Sequence, residues 1–352
     1  MVLGDLGAEV IKVERPGVGD DTRAWGPPFD ERGEATYFLS VNRNKRSIAL
    51  DLNAAEDLAK ARVLARGSDV LVENFRPGFM DGIGLGYDDL RADNPGLVYC
   101  SITGFGRGEG ARLPGYDLLV QALGGLMSIT GPADGEPQKV GVALVDVLAG
   151  LFASVGILAA LRHRERSGVG QRVEVTLLGA LLAALVNQGS AYTVAGVVPH
   201  RMGNEHPSIA PYELFDAADG QLVIAVGTDR QFATLCDVIG APELASDQRF
   251  TSNPARVEHR HELRAELEGR LSRSPAREWA ERLTAARVPA GVVNDLAAAF
   301  ELAQSLGLGS IVSIPRDDGS QLRLTSNPIS MSETPPEYRA APPSLPRREP
   351  DE

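Results

Sequence analysis

An apolar run from Val142 to Leu161 constrains this chain more than any other segment; its only polar side chains are Asp146 and Ser154. The run has the length of a membrane span. Its early acid, its glycines and the following Arg162-His163-Arg164-Glu165-Arg166 instead predict a buried core helix over 147–166. A core helix of that length needs further layers of secondary structure to cover it. A carboxylate inside such a run must be satisfied, or its pKa rises. Two readings of Asp146 are open on local grounds. It is an N-cap that accepts the free N–H groups of the helix. Or it is a nucleophile held at that same helix N-terminus, where the ionised form is favoured. The two readings are compatible.

Short strands and helices alternate around this run. Glu9–Val13, Ser47–Leu52, Val70–Glu73, Val98–Ile102 and Arg172–Thr176 read as strands. Gly7 closes a helix before the first of them, and Ala54–Arg66 reads as a helix with Asn53 as N-cap. Residues 177–195 read as one further apolar helix. This order predicts an α/β fold whose large domain is a Rossmann-like, doubly wound parallel sheet. The texture changes near residue 197, where Pro199, Pro207 and Pro211 punctuate a polar stretch. Tyr212–Asp216 and Gln221–Val226 flank the turn signal Asp219-Gly220. Helices are predicted at 230–239, 258–271 and 276–286, the last opening with Ser274 as N-cap and Pro275 at the first helical position. Ile311–Ile314 and Gln321–Leu324 form a second hairpin pattern. The layout expected is a large domain over 1–196, a linker over 197–211, a smaller α+β domain over 212–300, and a segment over 301–352 that returns to the large domain. The Pro-rich tail 334–352 is expected to run extended over the surface or to be disordered.

Composition removes several classes of function. A net charge of -12 argues against a nucleic-acid partner. Cys100 and Cys236 lie far apart in apolar surroundings and read as reduced core residues, which points to a cytoplasmic protein. The five His have no metal-ligand spacing, so no metal is expected. Residues 1–15 carry early acids and no signal-peptide pattern, and no membrane association is expected. There is no Walker A sequence and no GxSxG elbow. Gly104-Phe105-Gly106-Arg107-Gly108-Glu109-Gly110 lacks the GxGxxG register and reads as a mobile loop after a strand. Loops at successive strand ends carry Arg15, then Asn42-Arg43-Asn44-Lys45-Arg46, then Glu73-Asn74-Phe75-Arg76-Pro77-Gly78. Such guanidinium and amide donors suit phosphates; they are also ordinary solvated loop charges.

Order and spacing make these segments specific together. Gly4-Asp5-Leu6-Gly7-Ala8-Glu9-Val10-Ile11-Lys12-Val13-Glu14-Arg15-Pro16 is followed by Asn44-Lys45-Arg46-Ser47-Ile48 and Val72-Glu73-Asn74-Phe75-Arg76-Pro77-Gly78. Then come Pro114-Gly115-Tyr116-Asp117, Gly125-Leu126-Met127-Ser128-Ile129-Thr130-Gly131, Asp146 with its helix, Arg201-Met202-Gly203-Asn204 and Pro211-Tyr212. Over nearly its whole length the chain resembles the class III CoA-transferases (CaiB/BaiF), the family of formyl-CoA and carnitine CoA-transferases. The resemblance implies that Asp146 attacks an acyl-CoA thioester and passes through an aspartyl–acyl anhydride and an aspartyl–CoA thioester. Backbone N–H groups at the helix start would stabilise the developing oxyanion. It implies that Arg15, Asn74 and Phe75, with Arg76 beside them, contact the phosphates and adenine of CoA. Leu50, Asp51 and Asn53 would follow a strand lining the same pocket, and Tyr116 and Asp117 would lie close to the reacting thioester. Coenzyme A then comes and goes as a substrate and no cofactor is permanently bound. The partners implied are an acyl-CoA, a small carboxylic acid and a second copy of the chain, in an interlocked homodimer.

Two alternatives accompany this reading. The α-methylacyl-CoA racemases share the fold and the aspartate, but use His where this chain has Tyr116. A phenol with a pKa near 10 replaces imidazole poorly at neutral pH, which favours the transferase. The second alternative is an inactive CoA-binding protein. Family members carry a first Rossmann strand and an Ala-Gly-Pro turn before the helix that ends at Gly7, and Met1 lies inside that helix. The chain also has Gly82 where some relatives have Arg, and Pro346-Arg347-Arg348-Glu349 where the family has Leu-Gly-Glu-His. It lacks the glycine-rich flap of the formyl-CoA enzymes over 200–230, which argues against formyl/oxalate exchange. Succinyl-CoA as donor with a dicarboxylic or branched acceptor is the pairing that the resemblance suggests.

Overall fold

The structure is a computed structural model and describes residues 1–345. The chain divides into two compact units. One takes Met1–Val120, Ala143–Ala184 and the described residues from Phe300 onward; the other takes Gln121–Val142 and Leu185–Ala299.

The first unit is a mixed α/β layer. It runs α1 (Val2–Asp5), β1 (Val10–Glu14), α2 (Thr36–Val41), β2 (Lys45–Ala49), α3 (Ala55–Arg66), β3 (Val70–Glu73), α4 (Phe79–Gly82), α5 (Tyr87–Asp93), β4 (Val98–Thr103) and the start of α6 (Asp117–Leu123). It resumes with α7 (Leu144–Ser167), β5 (Arg172–Thr176) and α8 (Leu177–Ala184). All pairing among these strands is parallel, in two sheets rather than the single one expected: β1 with β2, and β3–β4–β5. β1 and β3 each keep one edge without a strand partner among the described residues. β4 is the central strand of its sheet, and its Val98, Tyr99 and Cys100 are fully buried, as a parallel strand covered on both faces should be.

α7 covers one face of β4. Its Ala153, Ile157 and Ala160 pack with Val98 and Cys100, and Val145 and Ala149 extend the same buried stripe. Gly156 lets it approach β5, since a Cβ there would lie 2.7 Å from Val173. Gly168, at φ +73°, stops the helix in the left-handed region. The expectation of an all-round buried helix is corrected. Val147, Leu151, Phe152, Val155 and Leu158 are exposed on the single chain, Val155 at 64%. By length and composition alone α7 would cross a membrane.

The second unit contains α9 (Val186–Ala195), β6 (Tyr212–Asp216), β7 (Gln221–Ala225), α10 (Asp229–Val238), α11 (Asn253–Glu258), α12 (Arg260–Leu271), α13 (Ala276–Ala285), β8 (Ala290–Val292) and the start of α14 (Leu296–Ser305). β6, β7 and β8 form an antiparallel sheet, and Phe215, Leu222, Phe232, Leu267 and Trp279 belong to one core cluster with it. Back in the first unit, the hairpin β9 (Ile311–Pro315) and β10 (Gln321–Thr325) packs on α2 through Leu322, Phe38 and Leu39.

Several boundaries move for identifiable reasons. β2 ends at Ala49, not Leu52, because its partner β1 ends at Glu14, which pairs with Ala49. Asn53 does not cap α3. Its N–H and Nδ2 both donate to Asp51 Oδ1 at 3.0 Å, and Ala54 is the N-cap. Pro275, not Ser274, holds the N-cap of α13, and the Ala276 N–H donates to Asp219 Oδ1 at 2.8 Å. The helix expected over 177–195 breaks at Leu185, with Val186 at φ +39°. The tail from 334 to 345 runs extended, and the Asn44 N–H donates to Ala340 O at 2.9 Å. The reading of Pro346-Arg347-Arg348-Glu349 falls outside the described residues.

Candidate active site

Asp146 sits in the first turn of α7, but it is not the cap; Ala143 is, and it offers no side-chain bond. The capping acceptor comes from a distant part of the chain. Asp117 Oδ1 accepts the N–H of Val145 at 2.8 Å and that of Asp146 at 3.3 Å. This corrects two sequence expectations. The cap role passes from Asp146 to Asp117, and two of the N–H groups assigned to an oxyanion are already bound. Among the described residues no protein donor bonds the Asp146 carboxylate, which leaves its oxygens available to a reaction partner.

Glycine geometry brings Asp117 into place. The loop after β4 starts at Gly104 and the segment entering α6 starts at Gly115. A Cβ on Gly104 would lie 2.5 Å from Gly115 Cα, so the two backbones cross only because both are glycine. The loop read as simply mobile is therefore anchored at this crossing, and the Leu178 N–H donates to Gly104 O at 3.1 Å.

The electrostatics of Asp146 are those of an unsatisfied carboxylate and oppose only the expectation that the helix N-terminus favours its ionised form. Its pKa is raised, first by desolvation and second by the negative charge of Asp117. These effects outweigh the helix N-terminus, whose nearest N–H groups Asp117 has taken. Tyr37, on α2, feels the same pair. Its pKa is raised by desolvation, then by Asp146, then by Asp117. Trp25 packs edge-on against the Tyr37 ring, with centroids 5.5 Å apart. Both aromatics are half exposed, and sequence reasoning missed them.

The other candidates lie around the strand ends. Tyr116, 69% exposed, precedes Asp117 directly. Arg15 follows β1, is exposed and pairs with Asp21. Asn74, Phe75 and Arg76 follow β3 and are exposed. The Phe75 N–H donates to Glu73 Oε2 at 2.9 Å, and its ring lies 4.8 Å from that of Phe79. These are carboxyl ends of parallel strands, where α/β sheets bind ligands. The Leu50 side chain is 7% exposed and packs in the core with Ala61 and Leu85. Asp51 and Asn53 are occupied with each other in their turn. In the second unit, Arg201 Nη2 donates to Gly135 O at 2.9 Å and the Gly203 N–H to Gly131 O at 3.1 Å, joining two of the motif segments. Cys100 and Cys236 are free and buried; burial pushes their thiols up to about 11 and about 12, which makes them inert core residues. No cluster of metal-ligating side chains occurs among the described residues.

Comparison with known proteins agrees with the motif order. The family model for CoA-transferase family III matches residues 1–348. The succinate–glutarate CoA-transferase of Agrobacterium fabrum is 43% identical over 350 residues, which is 98% of this chain and 88% of that enzyme. The acetyl-CoA:oxalate CoA-transferase of Acetobacter aceti is 42% identical over 333 residues, covering 94% of this chain and 84% of that one. Among solved structures, a CaiB/BaiF family protein from Brucella suis superposes with a TM-score of 0.85 at 43% identity, covering 97% of this chain and 90% of its own.

Proposed function

This chain belongs to CoA-transferase family III and moves CoA between an acyl-CoA and a free carboxylic acid, and we propose that Asp146 is the covalent nucleophile of that exchange. The observation that carries the proposal is an exposed carboxylate, unbonded among the described residues, in the first turn of α7, where Asp117 binds its backbone N–H. An Asp146 oxygen attacks the thioester carbonyl, the C–S bond breaks, and CoA leaves as thiolate from an aspartyl–acyl anhydride. The thiolate attacks the aspartyl carbonyl, releases the donor acid and leaves an aspartyl–CoA thioester. The acceptor carboxylate attacks that thioester, and the thiolate returns to the new acyl carbon, which regenerates Asp146. No proton is consumed, so the site needs no general acid.

CoA enters as a substrate, with no permanently bound cofactor. Arg15 and Arg76 serve its phosphates. Phe75, backed by Phe79, offers an adenine platform, with Asn74 beside it. We read the two parallel sheets as halves of one Rossmann-like doubly wound layer. Because the relatives named above act on succinate, glutarate and oxalate, the acids proposed are small dicarboxylates, with succinyl-CoA as donor. Incubation with succinyl-CoA and glutarate, oxalate or mesaconate in turn should give the acceptor's CoA ester by mass spectrometry. No new ester with any acid would sink this substrate assignment.

The exposed face of α7 supports a homodimer in which a second copy covers Leu151, Phe152, Val155 and Leu158. Light scattering should give twice the chain mass, and Val155→Glu should lower it toward one chain. A monomeric wild type would refute the assignment. Two reduced, buried cysteines fit a cytoplasmic location.

A further inference from the structure

We infer that Asp117 is a positioning residue for the transfer: its carboxylate fixes the backbone of the nucleophile in the first turn of α7. The inference rests on the reading of Asp146 as nucleophile and goes beyond it, because Asp117 touches no reacting atom in this account. Three observations carry it. Asp117 Oδ1 accepts the N–H of Asp146 itself, at 3.3 Å, and that of the preceding Val145, at 2.8 Å. The Gly104–Gly115 crossing gives the Asp117 segment one path into the site. The α7 N-cap, Ala143, supplies no side-chain acceptor of its own, so the first turn depends on Asp117.

The same carboxylate puts a negative charge beside Asp146. The groups whose fields meet there are Asp117 from α6 and Tyr37 from α2, and the phenol of Tyr37 is neutral at physiological pH. Asp146 attacks only when ionised, and its pKa is raised, so its reactive fraction falls as pH drops through that raised value. A more basic carboxylate is also a stronger nucleophile toward the thioester carbon. Asp117 thus exchanges some acid tolerance for reactivity at neutral pH.

Two substitutions separate the mechanical and the electrostatic roles. Asp117→Asn keeps an oxygen acceptor for both N–H groups and removes the charge. Asp117→Ala removes both. The measurement is the rate of covalent adduct formation on mixing with succinyl-CoA, followed by intact mass across pH, together with steady-state kcat and KM. Asp117→Ala should lower kcat on the order of 10²-fold with little change in KM, as expected for a misplaced nucleophile. Asp117→Asn should recover most of that loss and carry its acid limb to lower pH than wild type. Equal losses in the two variants, or an Asp117→Asn limb that superposes on wild type, would overturn the inference. Failure of the nucleophile reading looks different: wild type itself then gives no adduct at any pH.

Discussion

Asp146→Asn and Asp146→Ala should each reduce CoA transfer by roughly 10⁴-fold or more, the scale of loss when a covalent nucleophile is removed. Neither should disturb the fold. The Asp146 side chain makes no protein hydrogen bond among the described residues, and the first turn of α7 is capped by Asp117 through backbone N–H groups that both variants keep. Intact mass makes the result specific. Wild type mixed with succinyl-CoA should carry an adduct of CoA or acyl mass that glutarate discharges. The variants should bind CoA and carry none. A variant that retains a tenth of wild-type turnover, or that still forms the adduct, would move the nucleophile elsewhere. Tyr116 gives a further contrast. A racemase would exchange the α-proton of a 2-methylacyl-CoA with solvent without any acceptor acid, and exposed Tyr116 offers a phenol in place of the imidazole such chemistry uses.

The sequence pointed to Asp146 more clearly than to its surroundings. Val70–Glu73 and Arg172–Thr176 fold as strands over the residues read from their pattern, because β-branched runs flanking a central parallel strand carry a strong local signal. α2 carried no such signal. It is six residues long and is held by the packing of Phe38 and Leu39 on Leu322, some 280 positions away in sequence. Tyr37 was invisible for that reason, since its place beside Asp146 follows from α2. The caps show the same limit. Asp146 and Ser274 are local residues in the right positions, yet the acceptors are Asp117 and Asp219, which reach their helices across the fold. Local patterns name the residue type a helix start requires, and tertiary structure decides which copy of that type supplies it. Leu50 shows the limit from the other side: its place just after β2 is legible in the sequence, and its side chain's packing into the core is not.

Asp5→Ala should be the most damaging substitution outside the active site, costing about 3–5 kcal/mol of stability, the usual cost of removing one partner from a buried ion pair. Asp5 and Arg43 are both fully buried. The Asp5 carboxylate accepts from Arg43 Nε at 3.0 Å and Nη2 at 2.7 Å, from Asn44 Nδ2 at 2.8 Å and from Asn327 Nδ2 at 3.1 Å. Its backbone carbonyl accepts the Glu337 N–H at 2.8 Å. One residue therefore joins α1, the segment before β2, the segment following β10 and the C-terminal segment, all within the first unit. The remaining contacts reinforce the joint: Arg43 lies 5.0 Å from the Tyr338 ring, and the Asn327 N–H donates to Tyr338 Oη at 2.8 Å. Removing the acid leaves a guanidinium buried with no counter-charge, and that penalty exceeds the value of the lost bonds. A double substitution tests this cause. Asp5→Ala with Arg43→Met removes the stranded charge, so it should be more stable than Asp5→Ala alone. Urea unfolding followed by circular dichroism reads both. A loss under about 1 kcal/mol for Asp5→Ala, or a double variant worse than the single, would show that the joint is held by packing and not by the ion pair.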